Sequence, residues 1–199
     1  MSLLVRLLDP VMARFRRTYT SQFDALPRPD VDVLFIGDSI TAGAEWCEWL
    51  PGMSTANRGI PGDRTEHVLG RLDSLGQGRV VCVLIGTNDL GYGTRIEDIE
   101  ANVRSLIGEL RRRMPESTIV LQSVMPRQRK YASRIAELNG LYQEIARDLG
   151  ATYVDLWPAL GDGTGGLRAE FTSDKLHLNG PGYAAWVDAL APITRRALA

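Results

Sequence analysis

The chain has 199 residues, 44% of them hydrophobic and 24% charged, a balance typical of globular proteins that argues against disorder. Its 23 basic and 24 acidic residues leave a net charge of −1, which argues against a nucleic-acid partner. Cys47 and Cys82 are too few for a disulfide framework or a cysteine-built zinc site, and His67 and His177 rule out a three-histidine metal site. At roughly 100–200 residues per domain, a single domain is the simplest reading.

Residues 1–20 start with an apolar run that Arg6, Asp9 and Pro10 interrupt. A signal peptide needs an unbroken apolar core, and no stretch is apolar for the ~18 residues a membrane helix needs. The expectation is a cytoplasmic protein without stable membrane insertion. Residues 1–30 read as an amphipathic helix, partly broken at Pro10 and packed on the domain, then a stiff connector over 27–30. Arg14, Arg16 and Arg17 read as a solvated basic face. The domain proper is expected over 31–199.

Short apolar runs over Val31–Ile36, Val80–Ile85, Thr118–Ser123 and Thr152–Leu156 predict buried strands, with a weaker one around Ser54–Asn57. Between them, helical periodicity runs over Glu66–Leu75, Ile96–Met114, Tyr131–Leu149 and Tyr183–Leu198. Strands alternating with helices predict an α/β fold, a three-layer α/β/α sandwich around a parallel sheet of about five strands. Function in such sheets collects beyond the carboxyl ends of the strands.

The strand ends carry suggestive chemistry. The first ends in Gly37-Asp38-Ser39-Ile40, the weak strand runs into Asn57-Arg58-Gly59, and the VVCVLI strand ends in Gly86-Thr87-Asn88-Asp89. Asp174 and His177 come late. A serine hydroxyl attacks well only when a base takes its proton, and a histidine is suited to that at neutral pH. Ser39 is the expected nucleophile and His177 the general base, with Asp174 orienting the imidazole if the segment is a tight turn. Asp38, Asp63 and Asp89 stay open as orienting groups. The Ser39 and Gly59 backbone N–H groups and the Asn88 side-chain amide are the expected oxyanion donors. Singly, each residue has a plainer reading: a helix N-cap for Ser39, turns for Gly59 and Asn88, a surface position for His177. All of them at strand ends, in a workable order, point to acyl transfer.

These blocks resemble the SGNH hydrolase (GDSL esterase/lipase) superfamily, whose four signature residues map to Ser39, Gly59, Asn88 and His177, with Asp174 and His177 as its D-x-x-H block. The stretch from FIGDSIT through NRGIPGDRTEHVLGRL and LIGTNDL to LHLNGPGY is most similar to the branch of platelet-activating-factor acetylhydrolase catalytic subunits. The resemblance implies a flavodoxin-like fold over about 31–190 and an esterase needing no metal or cofactor. It further implies a small-molecule ester substrate with a short acyl or acetyl group, and a homodimer. GDSI replaces GDSL, and GTND replaces the GTNN of the mammalian subunits, which places Asp89 at the pocket rim as an expectation.

Other signals are weaker. His67 reads as a packed helix residue. Gly161–Gly166 formally fits G-x-G-x-x-G but has no helix after it, so it reads as a flexible loop before the Asp/His block. Arg127–Arg134 reads as a solvated loop and helix start, and Trp46 and Trp49 as helix packing. The competing functions are a phosphate- or flavin-binding module at Gly37–Gly43 and an inactive scaffold subunit. Neither needs Asn88 or His177.

Overall fold

The structure, a computed structural model, describes residues 3–199, with side chains from residue 10 onward. Five parallel strands form one sheet: β1 (Asp30–Gly37), β2 (Thr55–Gly59), β3 (Gln77–Leu84), β4 (Thr118–Gln122) and β5 (Thr152–Val154), in spatial order β2-β1-β3-β4-β5. The chain starts in the sheet at β1, steps outward to β2 and then crosses back to β3. The connections therefore diverge between β1 and β3, opening the crevice at which such sheets bind ligands.

Alternation along the strands divides the core in two. Leu34, Ile36, Val81, Val83, Ile119 and Leu121 face one layer. There they meet the apolar stripes of two long helices, Ile96–Arg113 and Ala132–Leu149. Val33, Phe35, Val80, Cys82 and Val120 face the other, against Trp186, Val187 and Leu190 of the last helix, Gly180–Leu198. Each such side chain, fully buried, contributes about 1.5–3 kcal/mol. Trp46 belongs to this second core, stacked on Phe35 at 3.6 Å between ring centroids and edge-on to Trp186. Trp186 donates its indole N–H to Gln122 Oε1 at 2.7 Å, which satisfies a buried polar group.

Three expectations are corrected. The N-terminal helix runs unbroken over Leu3–Ala25, with Pro10 inside it. A proline there forgoes one helical hydrogen bond, yet packing holds the helix: Phe23 is buried under the Arg58 guanidinium, and Arg16 reaches the Gly62 carbonyl. The helix expected over Glu66–Leu75 is instead a short one, Thr65–Leu69, and a separate 3-10 turn, Leu72–Ser74, parted at Gly70. The loop over 161–166 is pinned rather than flexible. Asp162 accepts hydrogen bonds from the Thr164 and Gly166 amides at 2.7 and 2.9 Å, and Gly161 and Gly166 make β-bridges to Leu167 and Arg127.

Candidate active site

Ser39 opens the helical turn Ser39–Ala42 directly after β1. Asp38 caps that turn by accepting the Ile40 N–H at 3.0 Å. The cap holds Ser39 above the strand end, and among the described residues its own backbone N–H takes no partner. Ser39 Oγ lies 2.9 Å from His177 Nε2, and His177 Nδ1 lies 2.6 Å from Asp174 Oδ2. The other Asp174 oxygen accepts the Leu176 and His177 amides at 2.9 and 2.8 Å. Lys175, at φ 64°, supplies the left-handed step that makes this turn tight.

Partial burial raises the Asp174 pKa, but the bonds from the His177 side chain and from the His177 and Leu176 amides outweigh it and hold the carboxyl down at about 2. Asp174 is thus an anion beside the imidazole at any working pH. The other acids have partners elsewhere: Asp63 pairs with Arg71, Asp89 accepts the Thr65 amide and hydroxyl, and one oxygen of Asp38 caps the Ser39 turn, while Asp174 is the carboxylate that reaches His177. Asp89 is 1% exposed, so it anchors Thr65 and lies away from any pocket rim, contrary to the sequence expectation. Its burial raises its pKa to about 6.

Asn88 stands in the helical turn Thr87–Tyr92 after β3. Gly86 before it has φ 115°, and a Cβ there would come 2.6 Å from the Tyr142 hydroxyl, so only glycine lets the chain turn here. Asn88 Nδ2 donates to the Asp63 carbonyl at 2.9 Å, leaving its second amide hydrogen for a ligand.

Gly59 departs from expectation. Its N–H donates to Asn57 Oδ1 at 2.9 Å, so it is not offered to an oxyanion. The absent side chain has another use: a Cβ would collide with the Ala42 amide nitrogen and stand 2.8 Å from the Asp38 carbonyl. Gly59 lets β2 close against the turn that carries Ser39. The Gly62 N–H, by contrast, takes no partner among the described residues and precedes the Asp63 carbonyl that holds Asn88.

His67 is a packed helix residue, as expected, accepting the Arg64 amide at 3.0 Å. Cys82 is buried and its thiol pKa is pushed well up, whereas Cys47 is exposed. Arg127, expected in solvent, is 8% exposed and bonds the Thr87 carbonyl at 2.9 Å. Among the described residues no three His, Cys, Asp or Glu side chains gather as a metal site, and no helix is long and apolar enough to cross a membrane.

Residues 35–185, spanning every element of this site, match the GDSL-like Lipase/Acylhydrolase family. The chain belongs to that family. It is therefore an enzyme, a carboxylic ester hydrolase. This acylhydrolase is 29% identical over 182 residues to the human platelet-activating factor acetylhydrolase IB subunit alpha1, covering 84% of this chain and 77% of that one. It is 27% identical over 166 residues to the rat subunit alpha2, covering 77% and 71%. Among solved structures, one named for platelet activating factor from Streptococcus pneumonia superposes with a TM-score of 0.87 at 28% identity, over 96% of this chain and 98% of that one. An acetylxylan esterase from Geobacillus stearothermophilus shares the fold at a TM-score of 0.70 and 19% identity, over 84% and 94%.

Proposed function

We propose that this acylhydrolase is a serine esterase for short acyl esters, acetyl above all, working through an acyl-enzyme on Ser39. The observation that carries the reading is the continuous chain from Ser39 Oγ to His177 Nε2 at 2.9 Å and from His177 Nδ1 to Asp174 Oδ2 at 2.6 Å. Ser39 Oγ attacks the ester carbonyl as its proton passes to His177 Nε2. The imidazolium hands that proton to the departing alkoxide oxygen, and the acyl group stays on Ser39. Water then gives a proton to His177 and attacks the acyl carbon, and the proton returns to Ser39 as the acid leaves. Asp174 fixes the tautomer by accepting from Nδ1 and stabilises the imidazolium.

The oxyanion donors in this reading are the Ser39 N–H, the Gly62 N–H and the Asn88 side-chain amide. Gly62 takes the place expected of Gly59, because the Gly59 N–H is already committed to Asn57. The preference for acetyl rests on the names of the acetylhydrolase relatives.

The test is hydrolysis of p-nitrophenyl acetate, butyrate and octanoate by the wild type, Ser39→Ala and His177→Ala. The expected result is wild-type turnover that declines with chain length and falls by about 10⁴ or more in both variants. Equal turnover in all three proteins would overturn the assignment, and a rise toward octanoate would overturn the short-acyl preference.

A further inference from the structure

A cleft of about 1170 Å³ opens beside the Asp174–His177 turn, and neither Ser39 nor His177 lines it. Its charged lining is Arg127, Arg129, Arg168 and Lys175 against Asp162 and Glu170. Asp162 is consumed locally, by the Thr164 and Gly166 amides and by Arg129 at 3.1 Å. Arg127, Arg168 and Lys175 make no ion pair within 4.0 Å among the described residues; Arg127 lies over the Tyr131 ring at 4.2 Å and Arg168 over the Phe171 ring at 5.6 Å, which leaves the cleft with an excess of positive charge.

Arg127 is the unusual member. It is 92% buried, yet its Nη1 meets only the neutral carbonyl and hydroxyl of Thr87, at 2.9 and 3.1 Å, and its Nε the Gln128 amide oxygen at 2.8 Å. The Asp38 and Asp174 carboxylates act on it only from beyond ion-pair distance, and a buried guanidinium without a directly paired anion is costly, so an anion entering the open cleft would be favoured there.

The cleft is also tied to the chemistry. Arg127 holds Thr87, the residue before Asn88. Gln128 Nε2 donates to the Asp174 carbonyl at 3.4 Å, and Lys175 lies within the turn that presents His177. In the esterase reading His177 protonates the leaving oxygen, and the cleft flanks the turn that carries it.

We propose that this cleft binds an anionic group, carboxylate or phosphate, on the alcohol portion of the ester substrate, with Arg127, Arg168 and Lys175 as its cationic partners. The proposal rests on the esterase reading above and narrows its substrate class. Neutral esters are then poor mimics of the substrate, because they leave the cleft's cations without a paired anion.

The test compares 4-acetoxybenzoate with its methyl ester, each kcat/KM divided by the hydroxide-catalysed rate, in the wild type, Lys175→Gln, Lys175→Glu and Arg168→Gln. The expected result is a wild-type preference for the anionic ester of roughly tenfold, reduced in Lys175→Gln and Arg168→Gln, reversed in Lys175→Glu, and weakened by salt. Lys175 is an exposed turn residue, and a glutamine there keeps the backbone step while removing the charge. Ser39-dependent turnover with no preference for the anionic ester, or with a preference indifferent to all three substitutions, would overturn this proposal and leave the esterase reading intact. Preference for an anion on the acyl side instead, read with 4-nitrophenyl hydrogen adipate against the hexanoate, would also overturn it. Turnover of neither ester, or turnover that survives Ser39→Ala, would sink both readings.

Discussion

Arg71 Nε lies 2.8 Å from Asp63 Oδ2, and both side chains are almost wholly buried. The pair sits at the meeting point of the site's backbone. Arg71 also donates to the Arg58 carbonyl at the end of β2 at 2.8 Å, and the Asp63 carbonyl accepts Asn88. Burial raises the Asp63 pKa, and the guanidinium counters it. Replacing Arg71 with Met leaves that carboxylate buried without its partner. The expected cost is about 3–5 kcal/mol, read as a lowered urea midpoint, with partial recovery when Asp63→Asn is added. A loss under 1 kcal/mol would show that the pair does not hold this corner.

Asn88→Ala is expected to lower kcat by about 10²–10³ with little change in KM, since an oxyanion donor acts on the transition state. Steady-state kinetics on p-nitrophenyl acetate decide it. An effect confined to KM would place Asn88 in ground-state binding.

Gly59→Ala separates packing from donation. The added Cβ has no room against the Ser39-bearing turn, so stability falls by roughly 1–3 kcal/mol and kcat falls with it as Ser39 shifts. A variant as stable and as active as the wild type would contradict the close approach of β2 to that turn.

Asp38 sets a pH dependence of stability. Burial, with Asp63 and Asp89 nearby, raises its pKa from 3.8 to about 7 against the cap bond from Ile40 and the nearby His177 imidazole. Its second oxygen has no partner. Between about pH 4 and 7 the folded chain keeps a proton that the unfolded chain has released, so this group makes stability fall as pH rises through that window. Asp89, raised to about 6, adds the same sign up to that pH. Asp38→Asn keeps the cap and removes the titration. It should gain roughly 1–3 kcal/mol over the wild type at pH 8 and nothing at pH 4, by chemical denaturation at each pH. An equal difference at both pH values would count against a buried, titrating Asp38.

What was legible in the sequence follows from what carries a local signal. β1 and β3 are buried on both faces, so their apolar runs stand out, and the two long helices carry full apolar stripes. The Ser39, Asn88, Asp174 and His177 blocks were readable because each lies where an element ends, and the Asp174–His177 contact is short-range. The Gly59 reading overlooked a local competitor: Asn57 Oδ1, two residues back, takes the Gly59 N–H, as asparagine side chains readily do. Arg127 looked solvated because its contact with Thr87 is tertiary: a basic run gives no hint that one of its members turns inward. Turns of four residues, such as Ser39–Ala42 and Trp157–Leu160, are too short to show a period at all.

Ser39 and His177 stand 138 residues apart in sequence, and the Tyr183 hydroxyl of the last helix reaches the Ile40 carbonyl at 2.8 Å. In the proposed reading, nucleophile and base come from segments that only the folded sheet brings together. An unfolded chain does not hold His177 against Ser39, so turnover would serve as a direct gauge of how much of a preparation has completed its fold.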